Sequence, residues 1–241
     1  MKKLELLGVL GLYGVIASLA AAQAQAGQVV PGCSGKGCIP VPIPVLESNF
    51  GYSGRAFGAT TTVNEITTTV VDTGALSEFG RPPLSAFASS VSVPGLLTAG
   101  VISANTWGVG GVADSNAEVV KLVLRIASTP TLVITADFVR SEAQAFCDPQ
   151  GAAVRGNATI ENLVVGGTAV TVTGSANQVV NLPSSLGTLT IQETTRDILP
   201  NRAFITVNAL HVSAGTLGDV IISGSQSDIR CNEWRAVNPE P

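Results

Sequence analysis

Between residues 51 and 231 the chain is cut into short runs of Val, Ile, Thr and Ala by Gly, Pro, Asn and Ser that never stay away for long. Glycine weakens a helix through backbone entropy, and proline breaks it through its missing N–H. With 26 Gly and 13 Pro in 241 residues, a long helix has room only near the N-terminus. β-Branched residues suit a pleated, half-buried surface, so the runs read as strands. The clearest sets Val120, Leu122, Leu124 and Ile126 against Lys121, Val123 and Arg125, an alternation with one wet face. Further strands are expected at 60–71, 101–108, 131–146, 158–165, 168–173, 186–193, 203–212 and 219–229, with a two-residue hairpin at Gly166-Gly167. The one helical turn expected lies at 73–79. Many short strands with turn signals between them predict a single all-β, β-sandwich-like domain over 51–231. The alternative is a β-solenoid, suggested by an echo of residues 97–103 in residues 133–139, but one pair of copies is too few.

Lys2 and Lys3, an apolar run over 6–22 and then Ala24-Gln25-Ala26 make the three-part layout of a secretory signal peptide at 1–26. The run falls short of the roughly 20 residues that cross a bilayer, so no stable membrane span is expected after cleavage. Glu5 and the interrupting glycines argue against a retained anchor, and Cys33 in Val30-Pro31-Gly32-Cys33 lies too far beyond the run for a lipoprotein. Residues 27–50 form a Cys-bounded loop and a stiff arm. In that arm Ile39-Pro40-Val41-Pro42-Ile43-Pro44 forces extended backbone, and residues 232–241 form a tail. The chain is therefore expected to be secreted, either extracellular or at the cell surface.

Export permits disulfides, and Cys33, Cys38, Cys147 and Cys231 can pair in three ways. Cys33–Cys38 spans a glycine-rich loop, which favours that bridge and leaves Cys147–Cys231; zinc is the sharper but weaker reading. A net charge of −4 draws nothing toward a phosphate backbone, so no nucleic-acid partner is expected. His211, the single histidine, lies in a strand-like run with Asp219 or Asp137 as conceivable orienting groups and no nucleophile motif, so a structural role is expected. Asp137, Glu142, Asp148, Asp219 and Asp228 are scattered singly, so no metal site is assigned; calcium at loop ends stays open without a location. Trp107 and Trp234, with Tyr52, are the residues able to stack on a sugar ring, against the blander reading of partly buried packing. Thr60-Thr61-Thr62 and Thr67-Thr68-Thr69 put threonines at period two, which suits an ice-binding or self-associating surface or simply a solvent-facing strand. Asn157-Ala158-Thr159 matches a glycosylation acceptor, a pattern common by chance.

Four phrases carry a family resemblance. They are Gly95-Leu96-Leu97-Thr98-Ala99-Gly100-Val101-Ile102-Ser103, Ile134-Thr135-Ala136-Asp137, Thr206-Val207-Asn208-Ala209-Leu210-His211-Val212 and Gly218-Asp219-Val220-Ile221-Ile222-Ser223-Gly224-Ser225. They resemble recurring segments of the bacterial choice-of-anchor P proteins across residues 51–231. The resemblance implies an exported cell-surface or extracellular β-domain, attached in different members by different C-terminal sorting signals, with Cys147 and Cys231 at the family's cysteine positions. It brings no catalytic residues. The ending Ala236-Val237-Asn238-Pro239-Glu240-Pro241 is similar to the start of a PEP-type sorting signal without the apolar span and basic cluster, so no anchor is expected.

These observations converge on a non-enzymatic secreted surface or extracellular-matrix protein. It is expected to act in adhesion or self-assembly through strand edges, with the Pro-rich arm as one strand donor, and to need no cofactor. The alternative is an extracellular polysaccharide- or calcium-binding module with Trp107 or Trp234 as platform. The partner is then either a further copy of the chain or an extracellular polysaccharide.

Overall fold

A computed structural model describes residues 50–63, 65–77, 82–126, 131–215 and 218–231, all within the compact unit Leu46–Pro241. The signal peptide, the Cys33–Cys38 loop, the Pro-rich arm, Trp234 and the tail lie outside the described residues. The strands are β1 (Gly51–Val63), β2 (Ile66–Asp72), β3 (Leu84–Ala88), β4 (Val91–Val93), β5 (Leu97–Ala99) and β6 (Ile102–Val109). They continue with β7 (Val112–Ile126), β8 (Leu132–Asp148), β9 (Gly151–Glu161), β10 (Val164–Val165) and β11 (Thr168–Ala169). β12 (Gln178–Asn181), β13 (Thr188–Leu199), β14 (Arg202–Ser213) and β15 (Asp219–Arg230) complete the described strands, and a 3-10 turn spans Pro183–Ser185. No α-helix occurs among the described residues.

Two antiparallel sheets face each other in a sandwich. One runs β12-β13-β14-β15-β1-β2; the other has nine strands centred on β8 and β7. Several of the nine are pieces of longer paths. β3 and β4 continue one register along β6 and β5. β5 and β6 continue one along β7, and β9 and β10 one along β8. The all-β sandwich expected from the sequence is the observed fold; the solenoid alternative does not hold, because the strands pair within two facing sheets rather than stacking as coils.

Each long path changes phase near its middle. In β7, Ala113, Ser115, Ala117 and Val119 point inward, then Leu122, Leu124 and Ile126 do. The switch falls at Lys121, whose φ is +55°. A single left-handed residue turns the chain over and restarts the alternation one residue out of step. Val71, Ser223 and Gln192 do the same in the six-stranded sheet and Asn162 in the other, all with φ between +52° and +57°. The pairing registers place Gly58, Ala209 and Asp137 opposite these residues, so the kinks form one row across each sheet. The row divides the sandwich into two halves with different cores.

Several expected elements are corrected. Residues 60–71 are two strands rather than one, since Val63 pairs with Ile66 and Glu65 takes φ +66° in the turn. Asn-Glu carries no glycine, so the hairpin left no strong sequence signal. The strand expected at 158–165 is the end of β9 and the separate β10, broken at Asn162. Of 168–173 only Thr168–Ala169 is strand, while β13 starts later and runs further than 186–193. No helical turn forms over 73–77. Leu76 instead makes an isolated bridge to Gly54 and is buried; residues 78 and 79 lie outside the described residues. The Gly166-Gly167 hairpin is present, both glycines having positive φ as a tight two-residue turn requires.

Candidate functional site

The sequence-selected residues fall on three separate parts of the sandwich. Cys147, at the end of β8, and Cys231, just after β15, are joined in a disulfide with a Cα separation of 5.7 Å. The bridge ties the two sheets together at one end of the sandwich. A hollow of about 860 Å³ lies beside it, lined by Phe50, Cys147, Pro149, Pro200 and Cys231 among others, with Asp148 its one carboxylate among the described residues. Asp148 is occupied locally, accepting a hydrogen bond from the Gln150 N–H at 2.8 Å.

His211 sits on the outer face of the six-stranded sheet. Its Nδ1 donates to Glu193 Oε1 at 3.0 Å, while Nε2 lies 3.6 Å from Asp219 Oδ1, beyond good hydrogen-bond length. Asn208 Nδ2 donates to the other oxygen of Glu193 at 2.7 Å. Asp219 is thus near His211 as the sequence suggested. Glu193 was missed because it comes from β13, eighteen residues away in sequence. Asp137 is on the other sheet, where Asn162 Nδ2 donates to it at 2.6 Å. No hydroxyl bonds to His211 among the described contacts, so the group cross-links three strands rather than forming a nucleophile–base pair. The ring lies between its two carboxylates, so the three groups do not converge on one point, and no metal-ligand cluster occurs among the described residues.

The threonines of β1 and β2 do share an outer face, as cross-strand pairs: Thr60 Oγ1 bonds Thr69 Oγ1 at 3.2 Å and Thr62 Oγ1 bonds Thr67 Oγ1 at 3.0 Å. Toward β14 the same rows continue through Ile221 and His211 and through Asp219 and Ser213, so the array is not a continuous threonine lattice.

Trp107 lies on the outer face of the nine-stranded sheet, half-buried. Directly across from it the registers place Asp114, then Gln144, then Arg155. The next row along the strands is Ser85, Asn105, Asn116, Glu142 and Asn157, and the next is Phe87, Ser103, Glu118, Arg140 and Thr159. Gln144 Nε2 donates to Asp114 Oδ2 at 2.9 Å, and Asn105 Nδ2 donates weakly to Asn116 Oδ1 at 3.4 Å. Arg140 bridges Glu118, at 3.2 Å, and Glu142. The Arg155 guanidinium stands over the Phe146 ring. A shallow hollow of about 300 Å³ opens among Asp114, Glu142, Gln144, Arg155 and Asn157. Sequence reasoning found Trp107 and Glu142 but not the amides, which are unremarkable singly and gather only because β6, β7, β8 and β9 are neighbours.

β9 is also an edge. Gly151–Glu161 pairs with β8 along its whole length and with no strand on its other side among the described residues. The Ala152 N–H donates outward to the Pro200 carbonyl at 3.1 Å. Even-numbered β9 residues therefore aim their backbone groups away from β8, and beyond Ala152 those of Val154, Gly156, Ala158 and Ile160 meet no further strand.

No family model and no curated protein matches the chain. Among solved structures, the crystal structure of Ail, the attachment invasion locus protein of Yersinia pestis, is similar at a TM-score of 0.16 and 10% identity, over 75% of this chain and 97% of that one.

Proposed function

We propose that the protein is a non-enzymatic, exported surface or matrix protein that adheres and assembles through strand edges. The observation that carries this reading is the uncovered side of β9. An unpaired edge presents a row of backbone donors and acceptors that a second chain can complete. The other edges are shorter, with two residues in β11, three in β4, four in β12, five in β3 and seven in β2; β9 has eleven. Neither proline nor lysine blunts β9, and its only charges are Arg155 and Glu161. Export is supported by the layout of residues 1–26 and by the Cys147–Cys231 bridge, since such bonds persist in oxidising compartments. Membership of the choice-of-anchor P proteins fits the same reading and is part of the proposal.

Light scattering of the secreted protein across a concentration series tests it. Wild type is expected to form oligomers as concentration rises. Thr159→Lys, which adds like charges across a paired edge, should leave a monomer with little change in melting temperature. Ile160→Pro, which removes one outward N–H near the end of the edge, should also leave a monomer but with a lower melting temperature, because Ile160 packs against the core. A wild type that stays monomeric at every concentration refutes strand-edge assembly.

A further inference from the structure

We propose that the outer face of the nine-stranded sheet, between Trp107 and Phe87, binds a neutral polysaccharide chain. This site is distinct from the β9 edge and does not depend on assembly. The two aromatic residues stand on adjacent strands of one face, four residues apart along β6, because Phe87 pairs with Ser103. Strand geometry sets their Cα atoms ~14 Å apart, a span that takes several sugar rings. Phe87 is 68% exposed, too much for a packing role, and no other aromatic ring is in ring contact with it among the described residues. Between the two lies a plane of amides. Asn105 and Gln144 each spend one polar atom on a neighbour in the sheet, which fixes the side chain, and Asn116 accepts from Asn105. Gln144 Oε1, Asn105 Oδ1 and Asn116 Nδ2 have no protein partner among the described contacts. Fixed amides with one atom to spare are suited to pairs of vicinal hydroxyls, and an indole or phenyl face to the apolar side of a pyranose ring.

The charges on the face select against other partners. Three carboxylates, Asp114, Glu118 and Glu142, stand against two guanidiniums, Arg140 and Arg155, and Arg140 engages both glutamates, so the face carries only one net negative charge to attract a polyion. A nucleic acid would need a basic stripe, which is absent here. A protein partner would want an apolar, charge-depleted centre, whereas Asn116, Glu142 and Arg140 occupy the middle of this face. A flat, uncharged, hydroxyl-rich polymer is the chemistry that fits.

The secreted full-length chain is to be tested for co-sedimentation with microcrystalline cellulose and chitin, and for retardation in gels containing soluble xylan, mannan or dextran, at low salt and at high salt. Binding to at least one of these is expected, undiminished by salt. Trp107→Ala and Asn116→Ala should each weaken it about tenfold or more, and Phe87→Ala should weaken it less. Thr195→Ala on the opposite sheet should leave it unchanged. Because Trp107 is half-buried, melting curves accompany each variant, and the exposed Phe87 and the amide variant keep the test decisive if Trp107→Ala unfolds. Binding to none of the five polymers, binding lost at high salt, or binding indifferent to both Asn116→Ala and Phe87→Ala would overturn the proposal.

Discussion

On the disulfide side of the kink row the sheets meet through buried serine, alanine and glycine set among Tyr52, Leu76, Val119, Val139, Ile205, Val207 and Ile229, and on the other side through leucine, isoleucine, valine and alanine with no buried serine between them. In the first half the sheets are close enough for side-chain hydroxyls to reach the opposite backbone. Ser223 Oγ donates to the Ala117 carbonyl at 2.7 Å, Ser227 Oγ to Ala143 at 2.8 Å and Ser115 Oγ to Gln226 at 2.7 Å. Ser141 and Ser225, both fully buried, bond each other at 2.6 Å. Facing sheets ordinarily lie about 10 Å apart, which a serine side chain cannot span. In the second half Leu97, Leu122, Leu124, Ile134, Leu189, Leu210 and Ile222 are all buried in one continuous cluster and fill an ordinary gap. One fold thus uses two solutions. Where the sheets approach, buried hydroxyls must be satisfied one by one; where they part, apolar volume must be filled.

The difference predicts opposite sensitivities. The largest loss is expected from removing carbon in the leucine half. Leu124→Ala, at a residue only 1% exposed, should cost about 3 kcal/mol, in the usual range of ~2–5 for such cavities. Thermal unfolding should fall by roughly 6–12 °C, given about 2–4 °C per kcal/mol for a chain this size. A smaller loss is expected from adding carbon in the serine half. A Cβ on Gly54 would run into the Thr106 and Ser115 hydroxyls, so Gly54→Ala should cost about 1–3 kcal/mol by overpacking. Denaturant titration of the two variants checks both. If Gly54→Ala proves neutral, the sheets are not locked together there and the contrast fails.

The smallest effect belongs to neither core. Asp72, beside the kink at Val71, accepts two hydrogen bonds from Arg55 at 2.9 and 2.6 Å. That bonding holds its carboxyl below the ordinary carboxylate value, against an opposing push from burial and with help from the Gly74 N–H. The unfolded carboxyl therefore takes up its proton first as pH falls. The pair's stabilisation is whole above about pH 4 and is lost as pH drops through the lower folded value. Arg55 is 43% exposed, so solvent screening keeps the contribution under about 1 kcal/mol. The melting-temperature gap between wild type and Asp72→Asn should narrow between pH 5 and pH 2; a constant gap would assign the effect to packing rather than charge.

The leucine half was the legible one. Leu122 to Ile126 alternates as expected, but Val120, expected on the same face, lies on the other one, because the left-handed Lys121 shifts the phase and Val119 is the inward residue before it. β14 and β15 fall where Val and Ile are dense. The first half of β7 was not read, because its inward positions are Ala113, Ser115 and Ala117, which resemble an exposed or turn-forming stretch. Serine is polar by composition and buried by circumstance, and only the nearness of a carbonyl on the other sheet decides which. The echo between residues 97–103 and 133–139, too little for a solenoid, has a structural counterpart. Both segments cross the kink row, and Leu97, Ala99 and Ile102 occupy the same inward positions as Ile134, Ala136 and Val139. The two segments share a change of phase. On the candidate face, Trp107 announced itself by type alone, but Asn105, Asn116, Gln144 and Asn157 could not, since their partnership depends on which strands are adjacent.

The sequence by itself determined that this chain is built from strands, because recurrent Gly and Pro exclude helices and β-branched runs favour the pleat, both local effects. It also supplied the cysteines and the one tryptophan on the candidate face. The tertiary structure alone decided which edge stays unpaired, which amides share a plane and where the sheets close on serine instead of leucine. Those outcomes depend on pairing register and sheet separation, and both are set by residues distant along the chain.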